Sequence, residues 1–81
     1  SQAKAIDISV ESYRRCLEIR PGVPFIYRAL LAVLWEGKKY QELLEASKKA
    51  IDDNPGSKVD FIEYHSRALD ALGRTEEAVK Y

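Results

Sequence analysis

Hydrophobic residues recur every three or four positions along the first part of the chain. Ile6, Val10, Tyr13 and Leu17 have this spacing, which places their side chains on one face of an α-helix. The pattern predicts a first helix over residues 3–20. The Pro-Gly pair at 21–22 ends this helix, because a proline ring does not fit inside a helix.

A second helix is predicted from Pro24 to about Trp35, and it is apolar nearly all round. Arg28 is the only charged residue within it. Proline is well tolerated at the first position of a helix, where its missing N–H is not needed. Gly37 is a typical residue for ending a helix. Because the helix has no polar face, we expect neighbouring helices on several sides of it.

Three further helices are predicted in the rest of the chain. One covers residues 39–53, where Glu45 and Lys49 stand one turn apart in the favourable orientation. The next runs to Leu72, with Ser57 as its cap and Asp60 as the acid of a capping box. The last begins in the Thr-Glu-Glu run at 75–77 and has room for about two turns.

The chain repeats itself at an offset of 34 residues. The stretch ESYRRCLE at 11–18 aligns with EASKKAID at 45–52, with acid against acid, base against base and aliphatic against aliphatic. Only Tyr13 against Ser47 breaks the chemistry. A Pro-Gly pair follows both stretches at the same distance. A match of this length at one offset indicates an internal repeat.

Two helices in a 34-residue period are typical of tetratricopeptide repeats, and the chain resembles that family in its residues. Along the first helix of a repeat the family has an aromatic residue, a Leu-Gly pair and another large residue. The matching residues are Tyr27, Leu30-Leu31 and Leu34, then Ile62, His65-Ser66 and Leu69 in the next repeat. Along the second helix the family has a small residue, an aromatic, a small residue and a proline. The matches are Ser9, Tyr13, Cys16 and Pro21, and in part Leu43, Ser47, Ala50 and Pro55.

The resemblance implies an all-α fold of about five helices. Antiparallel helix hairpins would stack as a right-handed superhelical solenoid, with residues 1–81 forming one domain. Residues 1–21 would be the second helix of a first repeat, 22–55 a complete repeat, and 56–81 a truncated further repeat.

Composition excludes several classes of function. Thirteen basic residues balance thirteen acidic ones, so charge gives no argument for a nucleic acid or an anionic membrane as partner. A single cysteine allows no internal disulfide and no thiol-rich metal site. The longest apolar stretch, at 29–35, is too short to span a bilayer. We expect no cofactor and no metal, and a cytoplasmic location by default.

Candidate catalytic residues are few. Cys16 matches Ala50 of the next repeat, so we expect it to be buried in the core. His65 has no second ligand at metal-binding spacing and is expected to be structural. Asp52-Asp53 precede a Pro-Gly turn and are expected to be solvated. We therefore expect no enzymatic activity.

The resemblance implies a binding groove on the concave face, lined by the first helix of each repeat. The residues in phase with it are Phe25, Arg28, Ala32 and Trp35, then Asp60, Glu63, Tyr64, Arg67 and Asp70. Arg28, Trp35, Tyr64 and Arg67 are the expected anchors, because exposed aromatics and arginines dominate interfaces. The alternative is that Trp35 and Tyr64 belong to the core.

The expected function is a non-catalytic scaffold that binds a peptide or a partner helix in this groove. One subclass of the family grips acidic chaperone tails with lysines, asparagines and an arginine. That clamp is lacking here, because Phe25, Ala29, Asp60 and Tyr64 stand at several of its positions.

Two alternatives remain open: a structural spacer or homo-oligomerisation segment, or a regulatory appendage of an enzyme encoded outside the chain. A terminal repeat helix lacks a neighbour. The expected self-association face is therefore the apolar stripe of the first helix, formed by Ile6, Val10, Tyr13 and Leu17.

Overall fold

A computed structural model describes residues 2–74 of the chain. This part is all-α, as predicted, and contains four α-helices, one short 3-10 helix and no strand. The helices are α1 (Gln2–Ile19), α2 (Pro24–Glu36), α3 (Tyr40–Asp53) and α4 (Lys58–Ala71), and the 3-10 helix is Pro55–Ser57. The first four predicted helices are confirmed to within a few residues. The fifth, from residue 75, lies outside the described residues.

Consecutive helices are antiparallel, and alternate helices run side by side in the same direction. The Tyr27 hydroxyl, at the start of α2, donates to Asp53 Oδ2, at the end of α3, over 2.7 Å. Arg28 near the start of α2 pairs with Asp60 near the start of α4. Asp7 of α1 pairs with Lys39 just before α3. One layer therefore contains α2 and α4 and the other contains α1 and α3, consistent with a Cα thickness of 14 Å.

The core is built around α2, which packs against all three other helices. Its contribution is the ring of Tyr27 and the side chains of Leu30, Leu31 and Leu34, all buried. The expectation that this apolar helix has neighbours on several sides is confirmed. The remaining buried residues are Val10 and Leu17 of α1, Leu43, Leu44, Ser47 and Ala50 of α3, Phe61, His65, Ala68 and Leu69 of α4, and Asn54 after α3.

The proposed self-association stripe on α1 is not an uncovered face. Val10 and Leu17 are buried, and Ile6 and Tyr13 are partly buried against the same core. The reason is that a stripe with three- and four-residue spacing is the face a helix turns to its neighbour, and here α2 covers it. The large apolar side chains that α1 leaves exposed are Ile8 and Ile19.

Cys16 is exposed, so the expectation that it packs in the core is wrong. Its counterpart Ala50, 34 residues later, is fully buried. The difference comes from the neighbours of the two helices. The α3 helix packs against both α2 and α4, whereas α1 packs mainly against α2. The same position in the repeat is therefore enclosed once and open once.

The 34-residue offset continues into α4. Phe61 is fully buried, and its ring meets that of Tyr27, 34 residues earlier, edge to face at 6.0 Å between centroids. Ile62, which the sequence comparison matched to Tyr27, is only partly buried. Phe61 is therefore the structural counterpart of Tyr27, and the residue assigned from the sequence was one position late.

The turn after α2 uses glycine for space rather than for backbone freedom. Gly37 has an ordinary φ of −80°, and the left-handed conformation falls on Lys38, with φ 57°. A Cβ at Gly37 would lie 2.9 Å from Ile6 Cγ2. Gly37 thus allows α1 to approach the end of α2, while Lys38 accepts a conformation that costs a side-chain-bearing residue about 1 kcal/mol.

The predicted cap at Ser57 is absent. Ser57 has φ −115° and ψ 15° and makes no side-chain cap bond. A capping residue normally has an extended backbone, which directs its hydroxyl at the first free N–H groups of the helix. Here the 3-10 helix prevents this, with the Ser57 N–H bonded to the Asn54 carbonyl at 2.9 Å.

Candidate protein-interaction surface

The predicted binding residues all lie on α2 and α4, whose common surface we call the α2/α4 face. They are Phe25, Arg28, Ala32, Trp35, Asp60, Glu63, Tyr64, Arg67 and Asp70, and each of them is exposed or partly exposed. Because α2 and α4 are parallel neighbours, residues of the two helices meet across this face at two places. One is near the helix starts and the other is one to two turns further along.

The first meeting point is the ion pair between Arg28 and Asp60. Arg28 Nη1 donates to Asp60 Oδ2 over 2.8 Å, and the side chains are 47% and 53% exposed. A pair this exposed contributes at most about 1 kcal/mol. The pair joins α2 to α4, and a charged partner can exchange it at small cost.

The second meeting point is centred on Arg67. Its guanidinium carbon lies 5.6 Å from the Trp35 ring centroid and 5.5 Å from that of Tyr64. A guanidinium nitrogen also bonds Glu63 Oε1, one turn earlier on α4. Trp35 comes from α2, so this group links the two helices as the Arg28 pair does. The structure thus brings together three of the four expected anchors.

Trp35 and Tyr64 belong partly to the core and partly to the surface. Both are half-buried and pack against the buried cluster. On the surface side each ring carries the Arg67 guanidinium. The Tyr40 ring supports Trp35 at a centroid distance of 5.5 Å and a tilt of 55°. These contacts fix the orientation of Trp35, and neither of the two alternatives for it holds alone.

One surface residue that sequence reasoning missed is Val59. It is 78% exposed, and Phe25, 34 positions earlier, is 70% exposed. Both residues lie at the starts of parallel helices, next to the Arg28–Asp60 pair. The repeat offset applied to Phe25 finds Val59. Two equivalent apolar side chains thus extend the α2/α4 face at this end.

A separate cleft of about 240 Å³ lies in the opposite layer, between α1 and α3. Its apolar floor is formed by Leu17, Tyr27 and Leu30, and its charged rim by Arg14, Glu18, Glu42, Glu45 and Lys49. Sequence reasoning assigned no site here, because the lining residues come from three helices at unrelated spacings.

A serine–histidine pair occupies the interior between α3 and α4. Ser47 Oγ lies 2.8 Å from His65 Nδ1, and the serine hydroxyl also donates to the Leu44 carbonyl at 3.0 Å. A hydroxyl has one proton, so His65 Nδ1 carries a hydrogen and donates when Ser47 bonds to Leu44. Both side chains are buried and out of reach of a substrate. His65 therefore has the structural role expected of it.

The expectation of two solvated aspartates before the Pro-Gly turn holds in part. Both are exposed, but Asp53 also accepts the Tyr27 hydroxyl. Burial, and then the hydrogen bond and charge of Asp53, raise the pKa of Tyr27 well above its ordinary value. Next to it, buried Asn54 donates through Nδ2 to the Pro21 carbonyl at 3.3 Å, which ties the turn after α3 to the turn after α1.

In residues 2–74, no three of the histidine, cysteine, aspartate and glutamate side chains are grouped so that they could hold a metal ion. Over the same residues, no helix combines the length and apolar character needed to cross a membrane. Comparisons with protein-family models, curated proteins and solved structures give no match.

Proposed function

We propose that the chain is a tetratricopeptide-like helical repeat scaffold, without catalytic activity, that binds a peptide or partner helix on its α2/α4 face. The observation that carries this proposal is the group formed by Trp35, Tyr64 and Arg67 across two parallel helices. The 34-residue period, the alternating helix directions and the equivalence of Tyr27 with Phe61 support the repeat part of the proposal.

The chemistry of this face suits a protein ligand. Tryptophan, tyrosine and arginine are the residue types most enriched among energetically dominant interface positions. Trp35 and Tyr64 are already held by the core and by ring contacts, so binding would cost little additional side-chain entropy. Exposed Phe25 and Val59 add apolar surface at one end.

A steric block tests the proposal. Ala32 is half-buried on α2, one turn from both Arg28 and Trp35, and Ala46 is half-buried in the α1/α3 cleft. Random displayed peptides would be selected on the folded wild-type chain and then titrated against Ala32→Gln and Ala46→Gln. We expect Ala32→Gln to weaken binding about tenfold or more, which corresponds to about 1.4 kcal/mol, and Ala46→Gln to leave it unchanged.

The matched pair of variants gives contrary outcomes a clear meaning. If Ala46→Gln abolishes binding and Ala32→Gln does not, the ligand occupies the α1/α3 cleft and the proposed face is wrong. If selection on the wild-type chain enriches no peptide at all, the scaffold proposal fails. Circular dichroism of both variants shows whether each substitution preserves the helices.

Self-association is a second candidate function, now assigned to a different side of α1. Ile8 and Ile19 are 59% and 79% exposed, and both lie away from the stripe that packs on α2. We propose that these two residues mediate pairing between copies of the chain. Sedimentation velocity over a range of concentrations should show an association that Ile8→Gln weakens. A monomer at the highest concentration would exclude this function.

A further inference from the structure

The Arg67 guanidinium occupies a position with the features of a cation-binding site. Two aromatic rings, Trp35 and Tyr64, lie within 5.6 Å of the guanidinium carbon, and Glu63 supplies a carboxylate to one nitrogen. We propose that Trp35, Tyr64 and Glu63 form a site for an arginine side chain of a basic peptide partner, and that Arg67 fills this site in the free protein. The inference rests on the proposed function and specifies the ligand of that face.

The surroundings of the site favour a positive ligand over a negative one. The predicted face carries Arg28 and Arg67 against Asp60, Glu63 and Asp70, and Arg28 is already paired with Asp60. If Arg67 moves aside, Glu63 and Asp70 remain beside two electron-rich ring faces. An acidic partner would meet these carboxylates, and like charges brought together across an interface oppose binding. A cation would meet the negative faces of both rings.

The geometry points to arginine rather than lysine. A guanidinium is planar and weakly hydrated, so it can stack on an aromatic ring while its edge bonds a carboxylate. Arg67 itself makes both kinds of contact here. The compact, strongly hydrated ammonium group of lysine makes this combined contact less well.

Arg67 can leave the site because nothing buries it. The side chains of Arg67 and Glu63 are 43% and 65% exposed, and their pairing is the ordinary one-turn contact on a helix surface. Pairs of this kind and exposed cation–π contacts are each weak. An incoming arginine therefore competes with a tethered but exposed group, and removing Arg67 should increase the affinity of the site.

The test uses the fluorescence of Trp35, the only tryptophan of the chain. Wild type and Arg67→Ala would be titrated with Nα-acetylarginine amide, and with Nα-acetylglutamine amide as neutral control. Arg67→Ala should show a saturable change with a dissociation constant of about 1–10 mM. Wild type should bind about three- to tenfold more weakly, since Arg67 competes. Arg67→Gln, which keeps part of the aliphatic stem, is the second variant should the alanine form prove unstable.

The matched control is Arg15→Ala. Arg15 pairs with Glu11 in the same one-turn geometry at 3.2 Å, but no cation–π contact involving it occurs in residues 2–74. Arg15→Ala should bind the arginine probe as wild type does. Equal responses to the arginine and glutamine probes, or no saturable response in either Arg67 variant, would overturn the inference.

Peptides selected on the wild-type chain separate this inference from the proposed function. Enrichment of arginine, with tighter binding to Arg67→Ala than to wild type, supports both. Enrichment of acidic peptides that lose affinity in Arg67→Ala makes Arg67 the anchor itself; the scaffold then stands and the arginine site falls. If no peptide is enriched, the scaffold proposal fails while the probe titration decides the arginine site by itself.

Discussion

Replacing Tyr27 by phenylalanine removes one hydroxyl from the centre of the fold and little else. The ring is buried and packs edge to face on Phe61, and phenylalanine already occupies the equivalent place in the next repeat. The change deletes the 2.7 Å bond to Asp53 Oδ2. Because Asp53 is exposed, its carboxylate regains water when the hydroxyl is lost.

The magnitude follows from these contacts. Hydrogen bonds to charged groups contribute about 1.5–3 kcal/mol when neither partner is exposed, and the exposure of Asp53 reduces this. We therefore expect Tyr27→Phe to lower the free energy of unfolding by about 1 kcal/mol at neutral pH. Asp53→Asn should cost about the same or less. The double variant should cost less than the sum of the two, because both single changes remove the same bond.

The pH dependence gives the effect a sign. The pKa of Tyr27 is raised in the folded chain, so above about pH 10 the unfolded chain releases this proton while the folded chain keeps it. The unfolded state then binds fewer protons, and stability falls with rising pH by up to about 1.4 kcal/mol per pH unit from this group. The contribution is complete below the unfolded pKa and is lost as pH rises towards the folded one.

Urea unfolding followed by circular dichroism measures these quantities. The wild-type chain and Tyr27→Phe would be compared at about pH 7 and about pH 10.5. The stability difference between them should shrink or reverse at the higher pH, because only the wild type has this proton to lose. Additive costs in the double variant, or an unchanged difference between the two pH values, would refute this account of the Tyr27–Asp53 bond.

Two further predictions concern the turn after α2 and have opposite signs. Gly37→Ala should destabilise the chain by about 1–3 kcal/mol, because the new Cβ would meet Ile6 Cγ2 at 2.9 Å and the packing of α1 must shift. Lys38→Gly should stabilise it by about 0.5–1 kcal/mol, because glycine adopts the left-handed φ of 57° without steric cost. Midpoints of urea unfolding measure both, and a stable Gly37→Ala or a destabilised Lys38→Gly would contradict the description of this turn.

Much of the fold could be predicted from local patterns. The spacing of Ile6, Val10, Tyr13 and Leu17 locates the core face of α1 as well as the helix itself. The two Pro-Gly pairs place the turns after α1 and α3, and the lack of polar residues in α2 predicts its enclosure. These features depend on helix periodicity and on proline geometry, and both act within a few residues.

What could not be predicted depends on which helices become neighbours. Cys16 and Ala50 occupy equivalent positions, yet only Ala50 has helices on both sides. The division of roles between Gly37 and Lys38 depends on how closely Ile6 approaches. A pattern in one helix gives no information on either point.

The candidate site was predicted as a set of helix positions without its internal contacts. Helical phase placed Arg28, Trp35, Tyr64 and Arg67 on one surface. It did not indicate that Arg28 pairs with Asp60 or that Arg67 stacks on the two rings, because these contacts cross from α2 to α4. The arginines expected to be free anchors therefore already have partners within the chain.

Chemical-shift mapping tests peptide binding at the α2/α4 face most directly. The ¹⁵N-labelled chain would be titrated with a peptide selected on the wild type, and shift changes followed for backbone amides and the Trp35 indole N–H. Changes concentrated on Arg28, Ala32 and Trp35 of α2 and on neighbouring residues of α4 are the predicted result. Changes centred on Leu17 and Ala46 in the α1/α3 cleft, with the Trp35 indole unmoved, would contradict it.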